Sequence, residues 1–294
     1  MNIALIPHRK LMAYLLISLP FLLITGPFLS DLAVVLICIL YLFNNFLKEI
    51  KSYLKNYFII IFLFFYTSCI LSSLLSDYPL ISTVKSIFYI RFLFFALATV
   101  YIIKAQPDTL DKLFISVLIC FTILILDGFY QFIFKKNIFG FEVYGNRLSS
   151  FFKDELIYGS YLSKFFPILL SLFFIYKKKT IYLNIVFSTI LILSIFAITL
   201  SGERAALFLI LLINFTKNQI ISGDKIYFFS EDHTGHYLAA LDIFNENNKI
   251  IGIGPKNFRN YCYNNIKYKN KPFICSSHPH NTYIQILLET GLLG

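Results

Sequence analysis

The sequence is dominated by apolar runs that are long enough to cross a lipid bilayer. A membrane-spanning helix needs about 20 predominantly apolar residues. Because 57% of the residues are hydrophobic and only 14% are charged, a soluble domain has no way to keep these runs off its surface. We therefore predict an integral membrane protein. The predicted spans, of which the second is short, are 11–30, 32–43, 57–75, 86–103, 113–134, 156–176 and 180–200.

The spans are predicted to be helices. A transmembrane barrel requires alternating apolar and polar positions, and these runs do not alternate. The first span follows the charged residues His8-Arg9-Lys10, as a signal peptide does, but its length and the span directly after it favour a retained helix. The predicted fold class is all-α, a polytopic transmembrane helical bundle with one large polar periplasmic loop.

Lysine and arginine in the short loops predict the orientation of the bundle, since these residues favour the cytoplasmic side. Counting spans from the basic N-terminus places 135–155 and the turn at 200–208 on the outer side. The net charge of +10 arises mostly from the cytoplasmic loops, so we predict no nucleic-acid partner. The cytoplasmic lysines on this count are Lys48, Lys51, Lys55, Lys104, Lys112 and Lys177 to Lys179.

The polar residues are concentrated in the last third of the chain. The predicted organisation is a transmembrane bundle at 1–215, a large polar loop at 216–280 and the start of a further transmembrane helix at 281–294, in a truncated chain. Within the loop, a short helix is predicted with Thr234 as its N-cap, followed by a turn in which Gly252 and Gly254 take positive φ.

Two cysteines in this loop suggest a covalent link. Cys262 and Cys275 both lie in the polar segment, and they are expected to pair if the loop faces an oxidising periplasm. Cys38, Cys69 and Cys120 lie in apolar spans, where a thiol behaves as a small hydrophobic group.

His278 and His280 flank Pro279, and two histidines at this spacing are candidate ligands of a metal ion. No acidic or cysteine partner stands at ligand spacing, and only Glu289 is near, so we predict no metal site. Gly252 and Gly254 do not form a dinucleotide fingerprint either, because they follow no strand of a βαβ unit and lack the third glycine.

Arginine is costly at a membrane boundary and calls for a partner. Arg91 suits snorkelling or pairing within the bundle as well as a function. Arg147 and Arg204 are both predicted at the outer face beside small polar residues. A guanidinium presents a planar fork of donors that fits phosphate oxygens, so the pair suits either a lipid-linked phosphate or lipid head groups.

Four motifs resemble the O-antigen ligase family in their order and context. They are RLSSFFKDELIYGSYLSKFFP at 147–167, LSGERAALF at 200–208, GHYLAALDIFNENNKIIGIGPKNFRNYC at 235–262 and SHPHNTYIQILLETGLLG at 277–294. The resemblance implies a metal-independent, inverting glycosyltransferase of the bacterial inner membrane whose active face is periplasmic. It also implies an undecaprenyl-diphosphate-linked glycan as donor, the lipid A core as acceptor, contact with membrane lipid, and no cofactor.

The resemblance also implies roles for individual residues. His280 is the expected base, which accepts the proton of an acceptor hydroxyl. His278 and Asn281 are expected to support it, with Asn281 capping the following helix. The diphosphate is expected to contact Arg204, Arg147, Arg259 and His236, where His236 replaces an arginine that is frequent in the family.

The sequence leaves two alternatives to O-antigen ligation open. An O-antigen polymerase or a protein O-oligosaccharyltransferase of the same family is the first alternative, and a transporter or flippase of lipid-linked saccharide is the second.

Residues 205–215 pose a problem of topology. As a helix this apolar stretch is about 16 Å long, whereas the hydrocarbon core of a bilayer is about 30 Å thick. If this stretch crosses the membrane alone, the polar loop emerges in the cytoplasm.

Overall fold

The structure is a computed structural model, and its helices confirm the predicted class. It describes residues 5–43, 56–143, 145, 147–153, 155–176, 178–202, 221–222, 225–226, 231–268 and 274–294. In these ranges the chain is almost entirely helical, with one antiparallel pair of two-residue strands, Ile221–Ser222 and Lys225–Ile226. Residues 205–215 lie outside the described residues.

Eleven α-helices follow one another along the described residues. They are α1 (Leu5–Ile24), α2 (Pro27–Tyr41), α3 (Tyr57–Leu74), α4 (Pro79–Ile87), α5 (Ile90–Ala105), α6 (Asp108–Phe134), α7 (Tyr158–Ile175), α8 (Ile181–Leu200), α9 (Glu231–Glu246), α10 (Phe258–Asn264) and α11 (Thr282–Thr290). Short 3₁₀ turns cover Ser150–Phe152 and Gly291–Leu293.

Among the described residues, five helical segments are long and apolar enough to cross a membrane. They are Tyr57–Leu74, Pro79–Ala105, Asp108–Phe134, Tyr158–Ile175 and Ile181–Leu200. Their apolar side chains are largely on the outside: Ile61 and Phe64 of α3 are 65% and 63% exposed. Contact of this apolar surface with lipid carries no free-energy cost, whereas its exposure to water would be unfavourable. The chain is therefore a multi-pass membrane protein.

The first predicted span is wrong at its C-terminal end. The span was expected to run from 11 to 30, but α1 ends at Ile24 and α2 begins at Pro27. Gly26 has a φ of 116°, which no helix continues through, and Pro27 suits the first position of the next helix. Residues 27–30 therefore belong to the second, short apolar helix.

The chain forms two compact units, and the first comprises residues 1–44 and 95–215. Its core centres on α6, which packs against α1, α7 and α8. Phe114, Phe121 and Leu124 of α6 are fully buried there. This unit contains the loop at 135–157 that carries Arg147.

A buried polar network shapes that loop. Gln131 Oε1 accepts from the backbone N–H groups of Ser149 and Ser150 at 3.0 and 2.7 Å. The hydroxyl of Ser150 donates to Asp127 Oδ2 at 2.5 Å, and the amide of Asn137 donates to the carbonyl of Ser150 at 2.9 Å. All of these polar side chains are buried, so breaking one bond leaves an unsatisfied group. The network fixes the loop against the end of α6.

The second unit comprises residues 45–94 and 216–294. Its core joins α9, α10 and α11 through Ala240, Ile243, Phe258 and Leu288, which are at most 1% exposed. Helix α11 also packs against α3. The predicted disulfide is present: Cys262 of α10 and Cys275 are bonded. Cys38, Cys69 and Cys120 are buried and are not part of a disulfide in the described residues, as the sequence indicates.

Two glycines bring the turn after α9 against the end of α11. The backbone N–H groups of Ile253 and Gly254 donate to the carbonyls of Leu288 and Glu289, both at 2.9 Å. Gly252 and Gly291 have φ values of 70° and 68°, and a Cβ on Gly252 would lie 2.6 Å from the backbone nitrogen of Gly291. Only glycine permits this approach.

We expect Gly252→Ala to lower the free energy of unfolding by roughly 2–5 kcal/mol, because it adds a backbone clash to the cost of a positive φ. Gly140→Ala is the matched control: Gly140 has a φ of 87° with open space around its Cβ position, so only the strain of about 1–2 kcal/mol applies. Denaturant titration in detergent compares the two. Equal losses would contradict the close approach.

Candidate functional site

Three histidines from distant parts of the second unit meet in one cluster. His236 lies on α9, whereas His278 and His280 precede α11. The ring centroids of His236 and His280 are 4.8 Å apart, and those of His278 and His280 are 4.4 Å apart. His280 is exposed, His278 is half-buried and His236 is buried. We call these three residues the histidine cluster, with His280 on its solvent side.

The buried end of the cluster is fixed by a backbone contact. The Nδ1–H of His236 donates to the carbonyl of Ile274 at 2.6 Å. A carbonyl only accepts, so His236 carries a proton on Nδ1. This bond connects α9 to the segment that is held to α10 by the disulfide at Cys275.

The backbone turns sharply at His280. Pro279 is buried, and His280 has a φ of 56°, a left-handed conformation that costs a non-glycine residue about 1–3 kcal/mol. The following residue ends the turn: Asn281 Oδ1 accepts from the backbone N–H groups of Tyr283 and Ile284 at 3.0 and 3.1 Å. The sequence-based prediction that Asn281 caps this helix is therefore confirmed. The predicted cap at Thr234 is wrong, because α9 begins three residues earlier at Glu231.

Lys256 is a charged neighbour of the cluster that the sequence analysis missed. Its side chain is exposed on the turn after α9, and its backbone N–H donates to Glu289 Oε1 at 3.0 Å. Glu289 is buried and also accepts from the amide of Gln285 at 3.0 Å. Glu289 thus holds the turn that presents Lys256.

Burial lowers the pKa of His278 below its ordinary value of 6.5, and the charges of Lys256 and His236 lower it further. The hydroxyl of Ser277 lies 2.8 Å from His278 Nδ1, and the hydroxyl of Ser276 donates to the carbonyl of His278. His278 is therefore held as a neutral imidazole beside His280 near neutral pH. Among the described residues, no three histidine, cysteine or acidic side chains are arranged as a metal site.

A known family matches the part of the chain that contains the histidine cluster. Residues 159–294 match the family described as O-Antigen ligase, and this range contains the whole histidine cluster and both cysteines of the disulfide. Residues 159–294 therefore form a domain of the O-antigen ligase family. No curated protein matches the chain, and no solved structure does. The match supports a ligase- or polymerase-like membrane glycosyltransferase, and the matched family implies a lipid-linked glycan and a lipid A-core acceptor in general terms.

The predicted arginines are distributed differently from the histidines. Arg259 is exposed on α10, in the same unit as the histidine cluster. Arg147 belongs to the first unit, where its Nη2 donates to the carbonyl of Leu156 at 3.4 Å and its buried Nε has no acceptor among the described residues. Arg204 lies outside the described residues.

We expect Lys256→Gln to raise the pKa of His278, because it removes a positive charge that disfavours the imidazolium. Folded His278 binds its proton less tightly than the unfolded chain does. Acidification through about pH 6.5 therefore favours unfolding, and Lys256→Gln should reduce that loss of stability. Titration of the histidine ring protons by NMR measures the change directly.

Lys249→Gln is the control, since Lys249 is an exposed lysine of the same connection and does not affect the pKa of His278. An unchanged His278 titration in Lys256→Gln would mean that the Lys256 side chain points away from the histidine cluster.

Proposed function

We propose that this chain transfers a glycan from undecaprenyl diphosphate to an acceptor hydroxyl, in an O-antigen ligation to the lipid A core at the periplasmic face of the inner membrane. The observation that carries the proposal is the histidine cluster, in which an exposed imidazole, His280, stands against two others. An imidazole at such a position suits a general base near neutral pH.

In the proposed reaction the acceptor oxygen attacks the anomeric carbon of the donor and the bond from that carbon to the diphosphate breaks. The proton of the acceptor hydroxyl passes to His280. Attack opposite to the leaving group inverts the anomeric centre. Undecaprenyl diphosphate leaves as an anion that needs no proton, so no acid catalyst is required and no metal is invoked.

The charge that grows on the leaving diphosphate needs preorganised donors. We propose Arg204, Arg147 and Arg259 for this role, and the position of Lys256 beside the cluster adds a fourth cation. His236 contributes a contact to a phosphate oxygen only when it is protonated at Nε2, because a lone pair there repels the anion. His278 and Asn281 support His280 by packing against its ring and by capping α11.

The disulfide supports a periplasmic location for this unit. Disulfides form and persist in oxidising compartments and are rare in the cytosol, and Cys262 and Cys275 of this unit are bonded to each other. Undecaprenyl-linked glycans are consumed on the same side of the membrane in the proposed reaction.

Complementation of a ligase-deficient strain tests the proposal. Expression of the chain should restore high-mass lipopolysaccharide on a gel. Longer glycans on the carrier lipid would favour the polymerase, and glycosylated protein the protein O-oligosaccharyltransferase. If the chain accumulates in the membrane with its disulfide formed and none of these products appears, the proposed transfer is wrong.

A further inference from the structure

A cleft in the second unit lies apart from the histidine cluster. It has a volume of about 220 Å³, and it lies between the connection from α3 to α4 and the C-terminal ends of α9 and α10. The polar and aromatic side chains that line it include Asp77, Tyr78, Glu246, Tyr261, Asn264 and Asn265. We call this the tyrosine cleft.

Two tyrosines form its aromatic wall. The rings of Tyr78 and Tyr261 meet edge to face, with centroids 5.6 Å apart and planes at 82°. The hydroxyl of Tyr261 donates to Asp77 Oδ2 at 2.7 Å, and the amide of Asn264 donates to the hydroxyl of Tyr78. Burial and the bond to Asp77 raise the pKa of Tyr261 to about 12, so the phenol keeps its proton. Both rings are held in place before any ligand arrives.

The polar groups of the cleft combine amides with carboxylates. Asn265 Nδ2 donates to Glu246 Oε2 at 2.9 Å, and Asp77, Glu246 and Asn264 are all exposed. Among the described residues that line the cleft there are two carboxylates and no lysine or arginine. The cleft therefore repels phosphate groups and favours a neutral or amino-bearing ligand with several hydroxyls.

We propose that the tyrosine cleft binds a neutral or amino sugar residue of a glycan. The C–H face of a sugar ring packs on an aromatic ring, and its hydroxyls donate to carboxylates and accept from amides, which are the groups present here. The inference rests on the proposed function for its biological setting, since both the donor and the acceptor of the proposed reaction contain glycans.

The bound sugar is remote from the bond that reacts. His236 and Glu246 are ten residues apart on α9, which is about 15 Å along the helix axis. That distance exceeds the length of one hexose ring. The tyrosine cleft is therefore a distal subsite that contributes to recognition of the donor glycan or of the acceptor core, and not to the chemical step.

Direct binding tests this inference without requiring transfer. The full chain in nanodiscs is titrated with two probes in separate arms: the dephosphorylated core oligosaccharide released from the host's lipopolysaccharide, and the repeat-unit oligosaccharide of its O-antigen. Saturation-transfer NMR reads out binding. We expect one of the two to bind, and the arm that binds identifies the source of the sugar.

Variants connect that binding to the cleft. Tyr78→Ala should weaken binding about tenfold, the loss expected for one aromatic wall and its hydrogen bond, and Asp77→Asn should weaken it too. Tyr263→Ala is the matched control, an exposed tyrosine on α10 that does not line the cleft. His280→Ala should bind the oligosaccharide normally, so binding to the tyrosine cleft is measurable even in a variant that does not transfer glycan. Binding by neither oligosaccharide, or binding that survives both Tyr78→Ala and Asp77→Asn, overturns the inference.

Discussion

Replacement of His280 by alanine should lower glycan transfer by about 10²–10⁴-fold, the usual contribution of a general base. The acceptor hydroxyl is a poor nucleophile while it keeps its proton, and His280 is the exposed imidazole of the histidine cluster. Transfer is measured as lipopolysaccharide ligation in a ligase-deficient strain. Lipid-linked donor should accumulate at the periplasmic face while the variant still reaches the membrane.

Two further variants separate the base from its surroundings. His280 has a positive φ, and asparagine tolerates that conformation better than alanine does but does not act as a base. His280→Asn should therefore be as inactive as His280→Ala and fold better. His278→Ala should lose less activity than either, because His278 packs against the base and is not proposed to take the proton. Formation of the disulfide provides the check on folding.

The same experiment distinguishes an enzyme from a transporter of lipid-linked saccharide. A transporter that lost an essential residue would leave its lipid-linked substrate on the cytoplasmic face. Retained ligation in His280→Ala, or a donor trapped on the cytoplasmic side, would contradict the role of His280 and favour transport.

The helical part of the fold was predictable because the bilayer imposes it. A backbone in hydrocarbon has no water to bond to, so each long apolar run must be a helix, and hydropathy locates such runs well. Helix ends are set by local chemistry that hydropathy does not report. The break at Gly26-Pro27 and the start of α9 at Glu231, ahead of Thr234, are both of this kind.

The candidate site was predictable in its residue types but not in its supporting contacts. A histidine flanked by proline and asparagine stands out in an apolar sequence, and the disulfide followed from two cysteines in one polar loop. Lys256 and Glu289 are 33 residues apart, and their contact depends on the approach of Gly252 to Gly291. Nothing local in the sequence reports a pairing between segments so far apart. The buried bonds of Asp127 and Gln131 to the loop before α7 depend on tertiary structure in the same way.

Arg204→Lys and Arg147→Lys should each lower transfer by about 10²-fold, the lower end of the cost of removing one preorganised donor from a developing anion. Lysine keeps the positive charge, so a loss of this size reports the lost geometry of the guanidinium fork. Arg147 has a further constraint: its Nη2 is already engaged by the carbonyl of Leu156, which fixes the direction of the remaining donors, and a lysine has no equivalent atoms with which to bond both partners.

Arg9→Lys is the matched control for these exchanges, because the charge pattern predicts that Arg9 lies on the opposite, cytoplasmic side of the bundle, and this variant should transfer glycan normally. The effect of the two test variants should also be largest in kcat if the donors act on the leaving group, since charge on the diphosphate grows only as its bond to the sugar breaks. A rise in KM with unchanged kcat would indicate that the arginines hold the lipid carrier equally before and during the reaction. Normal ligation by both lysine variants would instead assign these arginines to lipid head groups, and the stabilisation of the leaving diphosphate would then fall to Lys256 and Arg259 in the unit that contains the histidine cluster.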